Sequence, residues 1–378
     1  MTIDILQFQF TIEEFAGLLV FIAAFLVQLG YLLLKIKFIF SGKQKNKEPN
    51  TPSVSIIVTS RNYKDHLQEL LPVLLSQDYP DYEVVVVDDC STDGTDWLLA
   101  EMKISHGKLK TTRIFRETDF PNALAITIGV RASSKEWLLF VGPLCQIPDN
   151  QWLKNYTQRL DPEKEVSIGY MHYNNAKGGY KSWLRFENFA SYLLSGTGKA
   201  VGVAMPVFEF NLAYRREKFL ELKGFAAVLD SPFSENELFV NKIATRKNTV
   251  VQINNNTLIS YEGETEWVDF VEFKKKQIML RRKFSGGQRF FRSFNLVSRL
   301  LLTASFILLL VVSPGRLWIL GAWSFLMIFE MSWIAVATKK LGEKNFLPML
   351  LIYKAFLPLI NGGFIINQIF SGQKRKWK

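Results

Sequence analysis

Little in this chain points to sulfur or zinc chemistry. Its 378 residues include two cysteines, Cys90 and Cys145, and three histidines, His66, His106 and His172. Two thiols are too few for a disulfide framework and fit a reducing compartment. The histidines lie far apart, without an HExxH motif or a Cys/His cluster, which argues against a zinc site. No Gly-rich loop of the P-loop or dinucleotide type follows an apolar strand, so side chains must hold any ligand. Acidic residues are also in deficit, 35 against 46 Lys and Arg, for a net charge of +11. No aromatic-basic recognition module accompanies that excess, which disfavours nucleic acid as a partner. Apolar residues are in surplus: 48% of the chain, with mean hydropathy +0.07.

The surplus is concentrated near the two ends. Residues 15–40 begin with a run free of charge, long enough for a bilayer span of about 20 residues. Asp4, Glu13 and Glu14 precede it, and Lys35, Lys37, Lys43, Lys45 and Lys47 lie at its end or just beyond it. A secretory signal would have the opposite flanks. The positive-inside rule therefore predicts an extracytoplasmic segment 1–14 and a cytoplasmic region from residue 41. Residues 296–313 and 317–337 read as a helical hairpin, out and back, leaving Lys339, Lys340 and Lys344 inside. Residues 346–370 are apolar but interrupted by Pro348, Lys354, Pro358 and Asn361, as an interfacial, re-entrant or fourth membrane segment would be. The basic tail 371–378 is placed at cytoplasmic headgroups, making the whole a multi-pass cell-membrane protein.

Between these parts, residues 52–290 alternate strands with helices. Val54 to Thr59 is a β-branched strand, and Leu67, Leu70, Leu71 and Leu74 recur at helical spacing. Val84-Val85-Val86-Val87 then runs into Asp88-Asp89-Cys90-Ser91-Thr92-Asp93-Gly94-Thr95. Helices near 93–102 and 122–132 flank a strand at Thr112 to Phe115, and Trp137 to Val141 forms a fourth strand. Such alternation means βαβ units, a parallel sheet and ligands at the carboxyl ends of the strands. An apolar strand ending in two carboxylates delivers charge to that cleft.

Taken in order, these segments resemble family 2 glycosyltransferases over about residues 52–290. The resemblance rests on Val54 through Asn62, Leu74-Leu75-Ser76-Gln77-Asp78-Tyr79-Pro80, and Glu83 through Thr95. Trp137-Leu138-Leu139-Phe140, Pro148 with Trp152-Leu153, and Asn211-Leu212-Ala213-Tyr214-Arg215-Arg216 extend it. It implies an α/β fold, a Rossmann-like GT-A-type mixed sheet flanked by transmembrane helices, and a nucleotide-sugar donor linked through UDP or GDP. By family position Thr59, Arg61, Asp88 and Asp89 would bind the nucleotide, Asp89 accepting from the base. The bland alternative is that Asp88, Asp89 and Asp93 merely cap the next helix.

The departures are as informative. Where the family carries a DxD motif holding Mg²⁺ or Mn²⁺ on the diphosphate, this chain has Gly142 and Leu144, neither of which binds metal. Cys145 is a soft ligand that suits packing better. The basic residue usual before Ala123 is replaced by Asn122, and Val207 to Phe210 would crowd an acceptor. The general base falls on Glu235, with Glu237 beside it, although Glu235 and Ser234 equally suit a helix start. The QxxRW signature survives only as Gln277, since Leu280 stands at the arginine position and Arg281 is one step late. Asn211, Gln277, Arg281 and Arg282 are therefore acceptor-side or interface candidates, and polymer synthesis is not supported. The run from Lys274 through Arg299 reads as a belt for anionic lipid or a lipid-linked glycan. Two functions compete: a membrane glycosyltransferase acting on a lipid-linked or cell-surface glycan, and an inactive relative that scaffolds a second, active transferase.

Overall fold

The structure is a computed structural model that describes residues 2–5, 8–41, 51–118, 121–173, 175–203, 210–226, 235–313 and 315–344, with 352, 353, 360 and 362–364. The first elements are a hairpin, β1 (Thr2–Ile5) and β2 (Phe8–Thr11), and the long helix α1 (Ile12–Phe40). Then come β3 (Val54–Ser60), α2 (Lys64–Leu75), β4 (Tyr82–Asp89), α3 (Thr95–Ser105), β5 (Leu109–Ile114), α4 (Pro121–Ala132), β6 (Trp137–Phe140), β7 (Cys145–Gln146) and α5 (Trp152–Thr157). The second half of the domain holds β8 (Val166–Ile168), β9 (Met171–His172), α6 (Lys181–Ala200), β10 (Leu212–Arg215), α7 (Arg216–Glu221), α8 (Glu235–Ile243), β11 (Thr249–Val251) and β12 (Ile259–Tyr261). Helices α9 (Trp267–Arg282), α10 (Gly286–Val312) and α11 (Arg316–Lys340) complete the order.

Seven strands form one mixed sheet in the order β11-β8-β10-β6-β3-β4-β5. Strands β6, β3, β4 and β5 are parallel, while β10 runs antiparallel to both β6 and β8. The valine run lies at the centre of the parallel half. Val84 and Val86 join Ile56, Val58, Leu67, Leu71 and Leu74 on one face, and Val85 packs with Ile57, Ile126 and Phe140 on the other. This is why the run is apolar without alternation: both faces are covered by helices. A smaller sheet, β7-β12-β9, sits beside the carboxyl end of β6.

Helices α1, α10 and α11 are long and apolar enough to cross a membrane. They begin earlier than hydropathy alone indicates, because polar caps extend them. Thr11 and Glu14 form a capping box on α1, and Ser285 and Gln288 form one on α10, ten residues before the apolar stretch. Helix α1 runs antiparallel to α10: Tyr31 donates to the Phe291 carbonyl at 2.6 Å, and Gln28 donates to Ser298 Oγ at 2.8 Å. At the domain end Lys340 Nζ donates to the Ile39 carbonyl, and Phe38 meets Tyr192 of α6 edge-on. Gly196 of α6 makes that contact possible, since a Cβ there would lie 2.1 Å from the Phe38 ring. Beyond α11, the buried Glu343 accepts from Arg185 and from the Tyr170 hydroxyl, tying the hairpin back to the domain. The domain therefore sits at one common end of the three helices. The expected segment 346–370 lies almost wholly outside the described residues, and the tail 371–378 entirely so.

Candidate active site

Strands β3, β4 and β5 step outward in one direction, and the chain then crosses back to place β6 on the other side of β3. The carboxyl ends of β3 and β6 thus flank the topological switch point, where open α/β sheets bind ligands. One wall is built from the loops after β3 and β4. Both turn through left-handed, non-glycine residues, Asn62 and Cys90, each at φ 60°. Such conformations are costly and persist where the surroundings over-determine them. Here the Asn62 amide donates to Ser91 Oγ at 2.9 Å, Thr92 donates to Asn62 Oδ1 at 2.8 Å, and Lys64 donates to Asp93 Oδ2 at 2.9 Å.

These bonds sort the carboxylates of the motif. Asp93 accepts from the Thr95 amide and hydroxyl and so caps α3. Asp88 is buried, accepts from the Ser91 amide at 3.0 Å and pairs with Arg113 at 3.3 Å, so it holds the turn rather than opening to a ligand. Asp89 is left half-exposed, with no side-chain hydrogen bond among the described residues. Burial raises its carboxyl, Arg61 opposes that rise, and Asp88 and Glu117 add to it. Arg61 is also ion-paired with Glu117. Thr59 is half-buried one residue before the end of β3. The capping alternative thus holds for Asp93 but not for Asp89.

The opposite wall begins after β6. Gly142 is enclosed: a Cβ built on it would lie 2.7 to 2.9 Å from three atoms of the Phe210 ring. Phe210, just before β10, therefore occupies the volume that an aspartate side chain at 142 would need. Leu144 is half-buried, and its carbonyl accepts from the Glu262 amide at 3.0 Å. Cys145 is buried with its sulfur 3.6 Å from Met171 Sδ, and burial pushes the thiol up to about 12, so it stays protonated at neutral pH. Among the described residues no three His, Cys, Asp or Glu side chains are grouped to hold a metal ion. The residues present do not fit Mg²⁺ or Mn²⁺ at this position.

The acidic pair stands at the start of α8. Glu235 is buried and accepts from Asn122 Nδ2 at 3.0 Å. Asn122 opens α4, at the position where the family resemblance expects a base. Glu237 is fully buried and pairs with Lys276 Nζ at 2.6 Å. Between them Asn236 Oδ1 accepts from the Tyr214 hydroxyl at 2.9 Å, anchoring the helix start to β10. Carboxylates in a first helical turn are favoured by the helix dipole. Ser234 and residues 207–209 lie outside the described residues.

Several expectations need correction. Asn211 is fully buried, and its amide donates to the carbonyls of Tyr170 and Thr257, both at 2.9 Å, so it pins the sheet end and meets no acceptor. The basic run is not one exposed belt. Lys274 is buried against Glu187, and burial together with Arg281 and Arg292 pushes its ammonium down. Lys276 faces Glu237 instead of the membrane surface. Gln277 donates to Ser191 Oγ at 3.1 Å, joining α9 to α6, while Leu280 packs with Tyr31, Leu238, Phe284 and Phe291. Arg281 is half-buried with its guanidinium lowered by burial, and Arg282 is exposed. Asn122 and Lys276 were missed as site residues, because nothing local in sequence signals a partner on α8.

The sheet order, the switch-point cleft and its carboxylates define a GT-A-type, Rossmann-like glycosyltransferase fold. The family model "Glycosyl transferase family 2" matches residues 55–222. Residues 55–222 are thus a family 2 glycosyltransferase domain. It is 26% identical over 108 residues to the putative teichuronic acid biosynthesis glycosyltransferase TuaG of Bacillus subtilis, covering 29% of this chain and 40% of that protein. It is 39% identical over 72 residues to the beta-monoglucosyldiacylglycerol synthase of a Nostoc species, covering 18% of this chain and 15% of the relative. The chain thus spans less than half the length of these curated relatives. Among solved structures, the mannosyltransferase PcManGT from Pyrobaculum calidifontis superimposes with TM-score 0.54 at 18% identity, over 85% of this chain and 97% of that one. That likeness concerns the fold.

Proposed function

We propose that this protein is a membrane glycosyltransferase that moves one sugar from a nucleoside-diphosphate donor to a lipid-linked or cell-envelope glycan, with its domain on the cytoplasmic face. The observation that carries the reading is the pair of carboxylates that the fold leaves for chemistry: Asp89, whose side chain makes no hydrogen bond among the described residues, and Glu235, held by Asn122. Asp89 and Thr59 would receive the nucleotide, with Arg61 beside them. Glu235 would take the proton from the acceptor hydroxyl as its oxygen bonds to the anomeric carbon. The bond from that carbon to the diphosphate breaks, and configuration inverts. Glu235 lies in α8, so the base is carried on a regular element rather than on a loop.

The relatives support this reading by name, as proteins of teichuronic acid and glycolipid synthesis, and PcManGT was solved with GDP-Man. The donor nucleobase follows from none of these. The inactive-scaffold alternative draws no support from the relatives, which carry transferase and synthase names. The test is transfer from radiolabelled UDP- and GDP-sugars to native membrane lipid extract by the full-length protein. Wild type should form labelled product, and Glu235→Gln should lower turnover by roughly 10² to 10⁴-fold while nucleotide binding persists. Full turnover by Glu235→Gln would reject Glu235 as the base.

A further inference from the structure

Helix α6 covers the domain-side ends of two of the long apolar helices. Its Arg185 reaches the Glu343 carboxylate and the Lys344 carbonyl just beyond α11, while its Tyr192 and Gly196 lie against Phe38 near the end of α1. Helix α9 runs beside α6, joined through Lys274 on Glu187 and Gln277 on Ser191, and only residues 283–285 separate it from α10. Both helices thus lie at the level where the chain would enter a bilayer. The start of α9 is open there: Trp267 is 50% and Val268 58% exposed, and Tyr180, the residue before α6, packs on Trp267 with ring centroids 5.2 Å apart.

Two aromatic residues from the far end of the chain return to these same helices. Tyr353 is buried against Trp183 and Phe186 of α6, with ring centroids 4.8 and 4.6 Å away, and Phe364 meets Trp267 and Phe270 of α9 at 6.3 and 6.2 Å. Lys344, Tyr353 and Phe364 are therefore three fixed points on the domain. Crossing a bilayer and returning takes two spans of about 20 residues each, far more than lies between any two of these points in turn. Residues 365–378 are shorter than one span and carry Lys374, Arg375, Lys376 and Lys378. We propose that the chain does not cross the membrane after α11, and that Tyr180, Trp267 and Phe364 form a surface that docks on the phospholipid headgroup layer. Tryptophan and tyrosine join an apolar ring to a polar N–H or O–H, the combination that settles at that level. This rests on reading α1, α10 and α11 as membrane spans and not on the transfer step.

The experiment places single cysteines in the full-length protein and treats sealed vesicles of each orientation with membrane-impermeant maleimide, counting label above wild type. Lys247→Cys marks the domain, and Arg316→Cys marks the turn between α10 and α11. Gln373→Cys should label in the orientation that exposes Lys247→Cys, and Arg316→Cys in the other. Labelling of Gln373→Cys together with Arg316→Cys would overturn the inference yet leave the three spans intact. Labelling of Lys247→Cys and Arg316→Cys from one side would overturn the spans and the inference with them, whatever the outcome of a transfer assay. The surface is read separately, from the bimane signal that Val268→Cys adds in proteoliposomes. Phospholipid brominated on its upper acyl carbons should quench most of that signal. Equal intensity in brominated and plain lipid would overturn the docking.

Discussion

Adding a single methyl at residue 142 tests whether Phe210 fills the position that the metal motif would occupy. In Gly142→Ala the new Cβ would lie 2.7 Å from Phe210 Cε2 and 2.9 Å from Cδ2 and Cζ. Carbon atoms settle at about 3.5 Å or more, so the ring must retreat by about 0.8 Å or the backbone must shift. Overpacking of this kind costs about 1–3 kcal/mol. Phe210→Ala removes a half-buried ring, at about 2 kcal/mol, below the about 3–5 kcal/mol of a fully buried one. In the double variant the methyl enters space the ring has left, so the combined loss should match Phe210→Ala alone. The coupling is therefore about 1–3 kcal/mol, well outside the roughly 0.5 kcal/mol scatter of independent sites. Thermal unfolding of the four full-length proteins in one detergent, followed by tryptophan fluorescence, reads this directly. One kcal/mol corresponds to about 2–4 °C for a domain of this size. Strict additivity of the two single changes would refute the claim that Phe210 occupies that volume.

Two further outcomes concern the frame around the site. Burial would raise the Glu83 carboxyl, but Lys110, Ser55 and Ser134 outweigh it and hold the group at about 2, against an ordinary 4.5. The stabilisation, at most on the order of 3 kcal/mol before screening at the half-exposed Lys110, is complete above about pH 4.5 and is lost as pH falls toward 2. Glu83→Gln should therefore flatten the acid limb of a stability-against-pH curve, and an unchanged limb would contradict it. Where α11 meets the domain, Arg185→Met strands the buried Glu343 carboxylate and should cost about 3–5 kcal/mol, while adding Glu343→Gln should recover most of it. Equal unfolding temperatures for the single and double variants would remove Glu343 from the docking of α11.

Both the parallel strands and the long apolar helices were legible in sequence, because each depends on local patterning. The valine run forecast a strand covered on both faces, and the three charge-poor stretches forecast helices of spanning length. Their starts were less legible, since Thr11 and Ser285 gain their meaning only when Glu14 and Gln288 fold back on them. The pattern of the site was readable in part. Gly142 and Leu144, where the resemblance expects two aspartates, and Glu235 in an acidic cluster were read directly from the letters.

Which groups meet was not readable, because the sheet order and helix docking bring together residues far apart in the chain. Asn122 reaches Glu235 across 113 residues. Asp88, Asp89 and Asp93 are equivalent as letters, yet partners on three different elements bind two of them and leave Asp89 open. Lys276 looked like one more cation near a membrane until the packing of α9 set it on Glu237. The sequence by itself determined most of the secondary elements, which follow from composition and short-range period, and its ordered motifs pointed to the family. Only the tertiary structure decided that Phe210 fills the space beside Gly142 and that Lys276 pairs with Glu237, because burial and electrostatics depend on neighbours in space.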